Sequence, residues 1–219
     1  MVKWNNTDLS TKGIVVDKTP TISKAQKRIE QYSVPYRNGF LSVDTGVYDP
    51  FIVSIECHAK EDADFDEIKA FLDGYGTLSF DGLREYTAIV KNAIEFSKAH
   101  HFKRFPVQFE VNPIAHDITE TTFSGTGTLT INDATYEMWP TLTIVASGDV
   151  SITFNNETFY LDDASGTYIL DCENKIITNN DVNASGDMRG NFPSLKVGTN
   201  TISTSGTVSI TTKYKKAYL

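Results

Sequence analysis

Cysteine is scarce: 219 residues hold only Cys57 and Cys172. Two cysteines 115 positions apart do not make a disulfide framework, and both lie in alternating apolar runs, where a cysteine packs as a small reduced core residue. Cys57 and His58 are adjacent, so on a strand they point to opposite faces. A zinc site needs Cys and His pairs at close spacing, and no metal is expected. No run reaches the ~18 apolar residues that a spanning helix requires, so no membrane insertion is expected. The opening Met1-Val2-Lys3-Trp4-Asn5-Asn6 lacks the apolar core of a secretory leader, which leads us to expect synthesis and folding in a cytoplasm. Basic side chains are outnumbered 20 to 28, giving a net charge of −8 and a pI near 5.0. Sequence-specific gripping of nucleic acid would demand a strongly segregated basic patch. The chain also lacks a G-x-S-x-G elbow and a P-loop. Gly125-Thr126-Gly127 is too short for a dinucleotide fingerprint and no helix follows it, so no cofactor is expected.

What is present is a foldable composition, 40% hydrophobic and 11% aromatic. It changes along the chain. Residues 1–117 carry 14 basic and 17 acidic side chains; residues 118–219 carry 6 and 11, and are rich in Thr, Ser, Asn and Gly. Between them Asn112-Pro113 opens a polar run to Thr122 that reads as a linker. Two domains are therefore expected, 1–117 and 118–219. In the first, Phe51, Val53, Ile55 and Cys57 alternate as a strand. Asp64 is a predicted N-cap with Glu67 in the capping-box position. Phe65, Ile68 and Leu72 make one helical stripe, and Gly74 stands where a left-handed terminating residue is wanted. Asp81-Gly82 predicts a turn before a strand over 86–92. Phe105, Val107, Phe109 and Val111 alternate again, with Pro106 predicting a strand start or an exposed edge. The second part reads as many short strands with Ser147-Gly148, Asn155-Asn156, Ser165-Gly166 and Ser205-Gly206 as turns, which suggests a two-sheet sandwich.

Candidate chemistry is thin. His100-His101, with Lys98, Lys103 and Arg104 around them, read as a solvated loop or hairpin tip. Asp181 to Asp187 resembles the opening of a calcium loop, but position 12 is Phe192 instead of the bidentate Glu, so a polar turn is the better reading. Asp162-Asp163 or Asp171 with Glu173 offer carboxylate pairs. Asp171 and Glu173 would share one strand face, whereas glycosidase carboxylates flank a bond from opposite sides of a cleft. No enzyme is expected. Tyr136, Trp139, Tyr160 and Tyr168 are aromatics of a kind that either fills a core or stacks on sugars; Trp139 is the candidate saccharide contact.

Taken in order, several segments resemble the siphophage distal tail protein (Dit) family. They are Ser33-Val34-Pro35-Tyr36-Arg37-Asn38-Gly39, the strand at 51–58, the helix at 64–73 with Gly74-Tyr75-Gly76-Thr77-Leu78, Tyr86, Val90-Lys91-Asn92, and 102–113. In the second part they are Trp139-Pro140-Thr141-Leu142-Thr143-Ile144, Gly148-Asp149-Val150 with Ile152, Leu170-Asp171-Cys172-Glu173, and Gly190-Asn191-Phe192-Pro193-Ser194-Leu195-Lys196-Val197-Gly198-Thr199-Asn200. The last is similar to the family's [Asp/Asn]-Phe-Pro-x-Leu-x-x-Gly-x-Asn signature and is the most specific match. Tyr36 stands where the family usually has glycine, so the turn there is expected to differ in detail.

The resemblance implies a mainly β chain with a small α+β N-terminal part. Its first domain would be a β-sandwich with one helix and a β-hairpin, its second a galectin-like β-sandwich. It implies a homohexameric ring at the virion tail tip, made in the bacterial host cytoplasm, without catalysis. The ring joins the tail tube protein to the tail-associated tip protein, serves as a hub for receptor-binding proteins, and lets DNA pass through its channel. Closed rings use heterologous contacts. Tyr32, Tyr36, Arg37, Phe40 and Tyr48, with His100 in a hairpin expected around Glu95–Lys103, are the candidate ring contacts. A carbohydrate-binding module contacting cell-wall saccharide through Trp139 is the alternative.

Overall fold

A computed structural model describes residues 1–92 and 103–219. They divide into two compact units, Met1–Ala115 with Leu219, and His116–Tyr218. Both are β-rich, and the described residues contain one short α-helix.

In the first unit the strands are β1 (Lys3–Trp4), β2 (Thr7–Asp8), β3 (Ile14–Val16), β4 (Lys27–Ser33), β5 (Phe40–Tyr48), β6 (Phe51–Ala59), β7 (Tyr75–Ser79), β8 (Arg84–Val90) and β9 (Lys103–Asp117). The main sheet runs β2-β1-β7-β8-β9-β6-β3. Period-2 alternation sends Val53, Ile55 and Cys57 of β6 and Phe105, Val107, Phe109 and Val111 of β9 into one core. Helix α1 (Phe65–Phe71) contributes Ile68 to the same core, with Leu72 just beyond it. The Asp64 carboxylate accepts from the N–H groups of Asp66 and Glu67, as the sequence predicts. Only half the capping box forms, because Glu67 turns to the Lys12 ammonium at 2.5 Å. The helix caps at Leu72, and Gly74 takes its positive φ (79°) two residues later.

Pro106 departs from expectation. It sits in β9, which has neighbours on both sides, although proline has no N–H to give the ladder. Pairing with β8 gives way at this point to the side chain of Asn92. Its amide donates to the Pro106 carbonyl at 2.9 Å and its oxygen accepts from the Gln108 N–H at 2.7 Å. A side chain thus stands in for a stretch of strand backbone. The polar run read as a linker is also different: β9 continues to Asp117 and a new strand begins at Thr121.

In the second unit β10 (Thr121–Ser124), β11 (Gly127–Ile131), β12 (Thr141–Phe154), β13 (Glu157–Asp171), β14 (Ile176–Asn179), β15 (Val182–Asn183), β16 (Met188–Arg189), β17 (Gly198–Tyr214) and β18 (Ala217–Tyr218) follow. The hydrogen-bonded order is β10-β17-β12-β13-β14-β15, with β11 on β17 and β16 on β13. Most of the expected short strands are segments of three long ones, β12, β13 and β17, while β11 stands as a short strand of its own. Gly148 does not end a strand: it takes φ 76° where the register shifts between Gly148 and Val150. Gly206 lies opposite, where a Cβ would come within 2.7 Å of the Asp149 carbonyl. These glycines mark bulges, which bend a strand without stopping it. Asn155-Asn156 is a true two-residue turn, closing Phe154 against Glu157.

Candidate assembly surface

β4 and β5 form a two-stranded sheet that hydrogen-bonds to no other strand. Their register pairs Ser33 with Phe40, Tyr32 with Leu41, Glu30 with Val43 and Ile29 with Asp44. Alternation then puts Tyr32, Leu41 and Val43 on one face and Ile29 and Phe40 on the other. Both faces are open: Tyr32 is 51% exposed, Ile29 52% and Phe40 64%. An isolated hairpin is marginal in water, so such an arm needs a partner for its apolar side chains.

What anchors the arm is polar and lies at its base. Arg28 grips Asp49 through Nε at 2.9 Å and Nη2 at 2.6 Å. Lys27 pairs with Asp44 and stands 5.9 Å from the Tyr48 ring centroid. That hydrogen bond raises the Lys27 pKa and, with the Gly46 N–H, lowers that of Asp44. Tyr48 is accordingly half-buried at the base, while Tyr32, Phe40, Tyr36 and Arg37 project from the arm. The structure thus brings these five candidates onto one hairpin. His100 and the hairpin expected around Glu95–Lys103 lie outside the described residues, apart from Lys103 at the start of β9. Ile29, Val34, Leu41, Val43 and Val47 belong to the same exposed surface and were missed. Alternating aliphatic residues ordinarily signal burial, so the aromatics alone drew attention.

The tip is strained. The Arg37 N–H donates to the Val34 carbonyl at 3.2 Å, closing a turn through Pro35 and Tyr36. Tyr36 itself takes φ 62°. The turn thus holds a left-handed residue without glycine, and the conformation costs an L-residue about 1–2 kcal/mol. The Tyr36 side chain is fully exposed. Left-handed non-glycine residues concentrate at functional sites.

In the second unit the Phe-Pro-x-Leu signature is an internal clamp. Asn200 is buried, and its Oδ1 accepts from the Lys196 N–H at 2.8 Å and the Asn155 amide at 3.2 Å. Its Nδ2 donates to the carbonyls of Lys196 at 2.8 Å and Gly198 at 3.3 Å. Leu195 is fully buried and pairs with Met138 through two backbone bonds. The motif thus fixes a loop on the sheet.

Trp139 is 41% exposed, but the Lys175 ammonium lies 3.3 Å from its ring centroid and 5.7 Å from that of Phe192. One face of the saccharide candidate is therefore covered by its own chain. Tyr168 is buried and donates its hydroxyl to Asp187 at 3.1 Å. The guanidinium of Arg189 covers Tyr160 while holding Asp162 at 2.5 and 2.8 Å. Asp171 accepts from the N–H groups of Glu173 and Asn174 and from the Asn174 amide. It caps the β13–β14 turn, which removes the carboxylate pair imagined with Glu173. Asn180 and Asp181, both at positive φ, make the two-residue turn between β14 and β15. No group of three metal-ligating side chains occurs among the described residues.

Residues 133–218 match the family described as siphovirus-type tail component, C-terminal domain. A solved structure, Dit (gp 19.1) of phage SPP1, matches 100% of this chain and 98% of its own, with TM-score 0.75 and 11% identity. The chain has a Dit-like siphovirus tail component fold. No curated protein matches it at the sequence level. The SPP1 protein is described as a paradigm of the hub adsorption apparatus in phages infecting Gram-positive bacteria. At 11% identity the likeness is one of fold, and the resemblance read from the sequence segments agrees with it. The family and the structural neighbour are tail proteins, not enzymes. What the chain shares with that structure is its β-rich fold.

Proposed function

We propose that this chain is the hub ring of a long, non-contractile tail, six copies closing around a channel at its distal tip. The exposed arm β4–β5 carries the reading. Two apolar faces and a strained tyrosine tip are unstable as a free surface and useful as a contact between copies. The first unit builds the ring and the second projects from it. The ring joins the tail tube to the tail-associated tip protein and offers a platform to receptor-binding proteins, while DNA slides through. An excess of carboxylates suits that passage, because like charge keeps DNA from adhering. Nothing in this role requires catalysis or a cofactor.

Purified protein tests the reading. Light scattering and negative-stain imaging at low micromolar concentration should show a six-fold annulus with a central hole. A protomer that stays solitary at every concentration refutes it.

A further inference from the structure

The main sheet of the first unit has an incomplete edge beside the arm. β3 pairs with β6 only over Cys57–Ala59, and the last bond on that side runs from the Asp17 N–H to the Glu56 carbonyl at 2.9 Å. From Phe51 to Ile55, β6 is paired with β9 on one side alone. Backbone groups alternate direction along a strand. Those facing the bare side therefore belong to Ile52 and Ser54, both exposed residues. Among the described residues no strand meets them.

The chain's own arm cannot fill this edge. Only Asp49 and Pro50 separate β5 from β6, so β5 could have turned back onto it as a tight hairpin. Instead β5 is paired with β4 over Phe40–Asp44 and again at Tyr48. The arm keeps an unpaired outer edge, and β6 keeps another. Each protomer thus carries a donor strand and an acceptor edge, on different surfaces. Such a non-self-complementary pair builds heterologous contacts, which close a ring when the rotation permits. The lengths fit, since strands of seven and nine residues exceed the five open positions of β6. The charges fit as well. Arg37 at the arm tip and Glu56 beside the bare edge are exposed, and neither has an ion-pair partner among the described residues.

We infer that the β4–β5 arm of one copy adds to the open edge of β6, at residues 51–55, in a second copy, joining the two sheets through backbone hydrogen bonds. Main-chain pairing supplies the bonds, and Tyr32 or Phe40 packs beside Ile52. The inference rests on the ring reading above and specifies its joint.

Inter-copy cross-linking tests it. Chains carrying Ser54→Cys are mixed with chains carrying Ser33→Cys or Ser42→Cys and oxidised. Cys57 and Cys172 are buried, which keeps background pairing low. A disulfide-linked pair of chains is expected in at least one mixture and absent when Ser205→Cys in the second unit replaces the arm cysteine. Independently, Ser54→Pro removes an edge N–H that β9 does not use. It should leave the circular dichroism of the protomer unchanged and raise the concentration for half-assembly about tenfold or more, whereas Ser54→Ala should not. A six-fold ring that forms without either cross-link, or that tolerates Ser54→Pro, overturns this joint and leaves the ring intact. A protomer that never assembles overturns both.

Discussion

Replacing Tyr36 with glycine separates the tip's strain from its contact. Tyr36 holds φ 62°, a conformation that costs an L-residue about 1–2 kcal/mol and glycine nothing. Glycine gives back about 0.5–1 kcal/mol through the extra freedom of the unfolded chain. The net effect on the folded protomer is then between zero and about 1.5 kcal/mol of stabilisation. Association responds the other way. A fully exposed aromatic that becomes buried against a neighbour contributes about 2 kcal/mol per contact. Its loss weakens each contact about thirtyfold. Tyr36→Ala keeps the strain and loses the ring, so it should weaken assembly equally without the gain in stability. Chemical denaturation of the protomer and light scattering across a concentration series read the two effects separately. If Tyr36→Gly lowers stability by more than 1 kcal/mol, the left-handed turn is wrongly assigned. If both variants assemble like the parent, Tyr36 is not a contact.

Four other outcomes follow from the interior. The Thr212 hydroxyl is buried without a hydrogen-bond partner among the described residues, so Thr212→Val should raise unfolding stability by about 1–2 kcal/mol, measured in urea. Asn200→Ala removes the clamp on Lys196 and Gly198 and should cost about 3 kcal/mol, visible as a lower denaturation midpoint. Burial opposes the charged form of Asp171, but the Asn174 amide, the Asn174 and Glu173 N–H groups and nearby Lys175 outweigh it and hold its pKa below the ordinary carboxylate value. Its contribution is therefore complete above the unfolded-state value and fades as pH falls through the lower folded one; Asp171→Asn should flatten stability between pH 5 and pH 2, in a window about the carboxylate range. Burial also pushes both thiols to about 12, so a disulfide reagent at pH 8 should react only as the protein unfolds, Cys57 and Cys172 each reporting on its own unit.

Where the sequence alone sufficed, a local pattern and a tertiary need coincided. The alternation at Phe51–Cys57 and the Asp64 cap are read correctly because burial and hydrogen bonding act on those residues directly. Gly148 and Gly206 read as turns in the sequence because a positive φ serves a turn and a bulge alike, and only cross-strand register distinguishes them. Pro106 looked like an edge because nothing in its neighbourhood announces that Asn92, fourteen positions earlier, satisfies the backbone. The signature at Asn191–Asn200 resembles a family's without disclosing that Asn200 clamps the loop. For the assembly surface, Tyr32, Tyr36, Phe40 and Tyr48 were found, but their common hairpin was not, since an apolar strand left open to water violates the pattern by which strands are recognised.

The bulged long strands have a mechanical consequence. β17 runs seventeen residues and is flanked by β12 on one side and by β10 and β11 on the other. Bonds between antiparallel strands lie across the strand direction. A pull along β17 is consequently shared by many of them at once, in shear, instead of opening them one by one like a zipper. Such an element yields late under tension, so the second unit is built to bear load along its longest strand without coming apart.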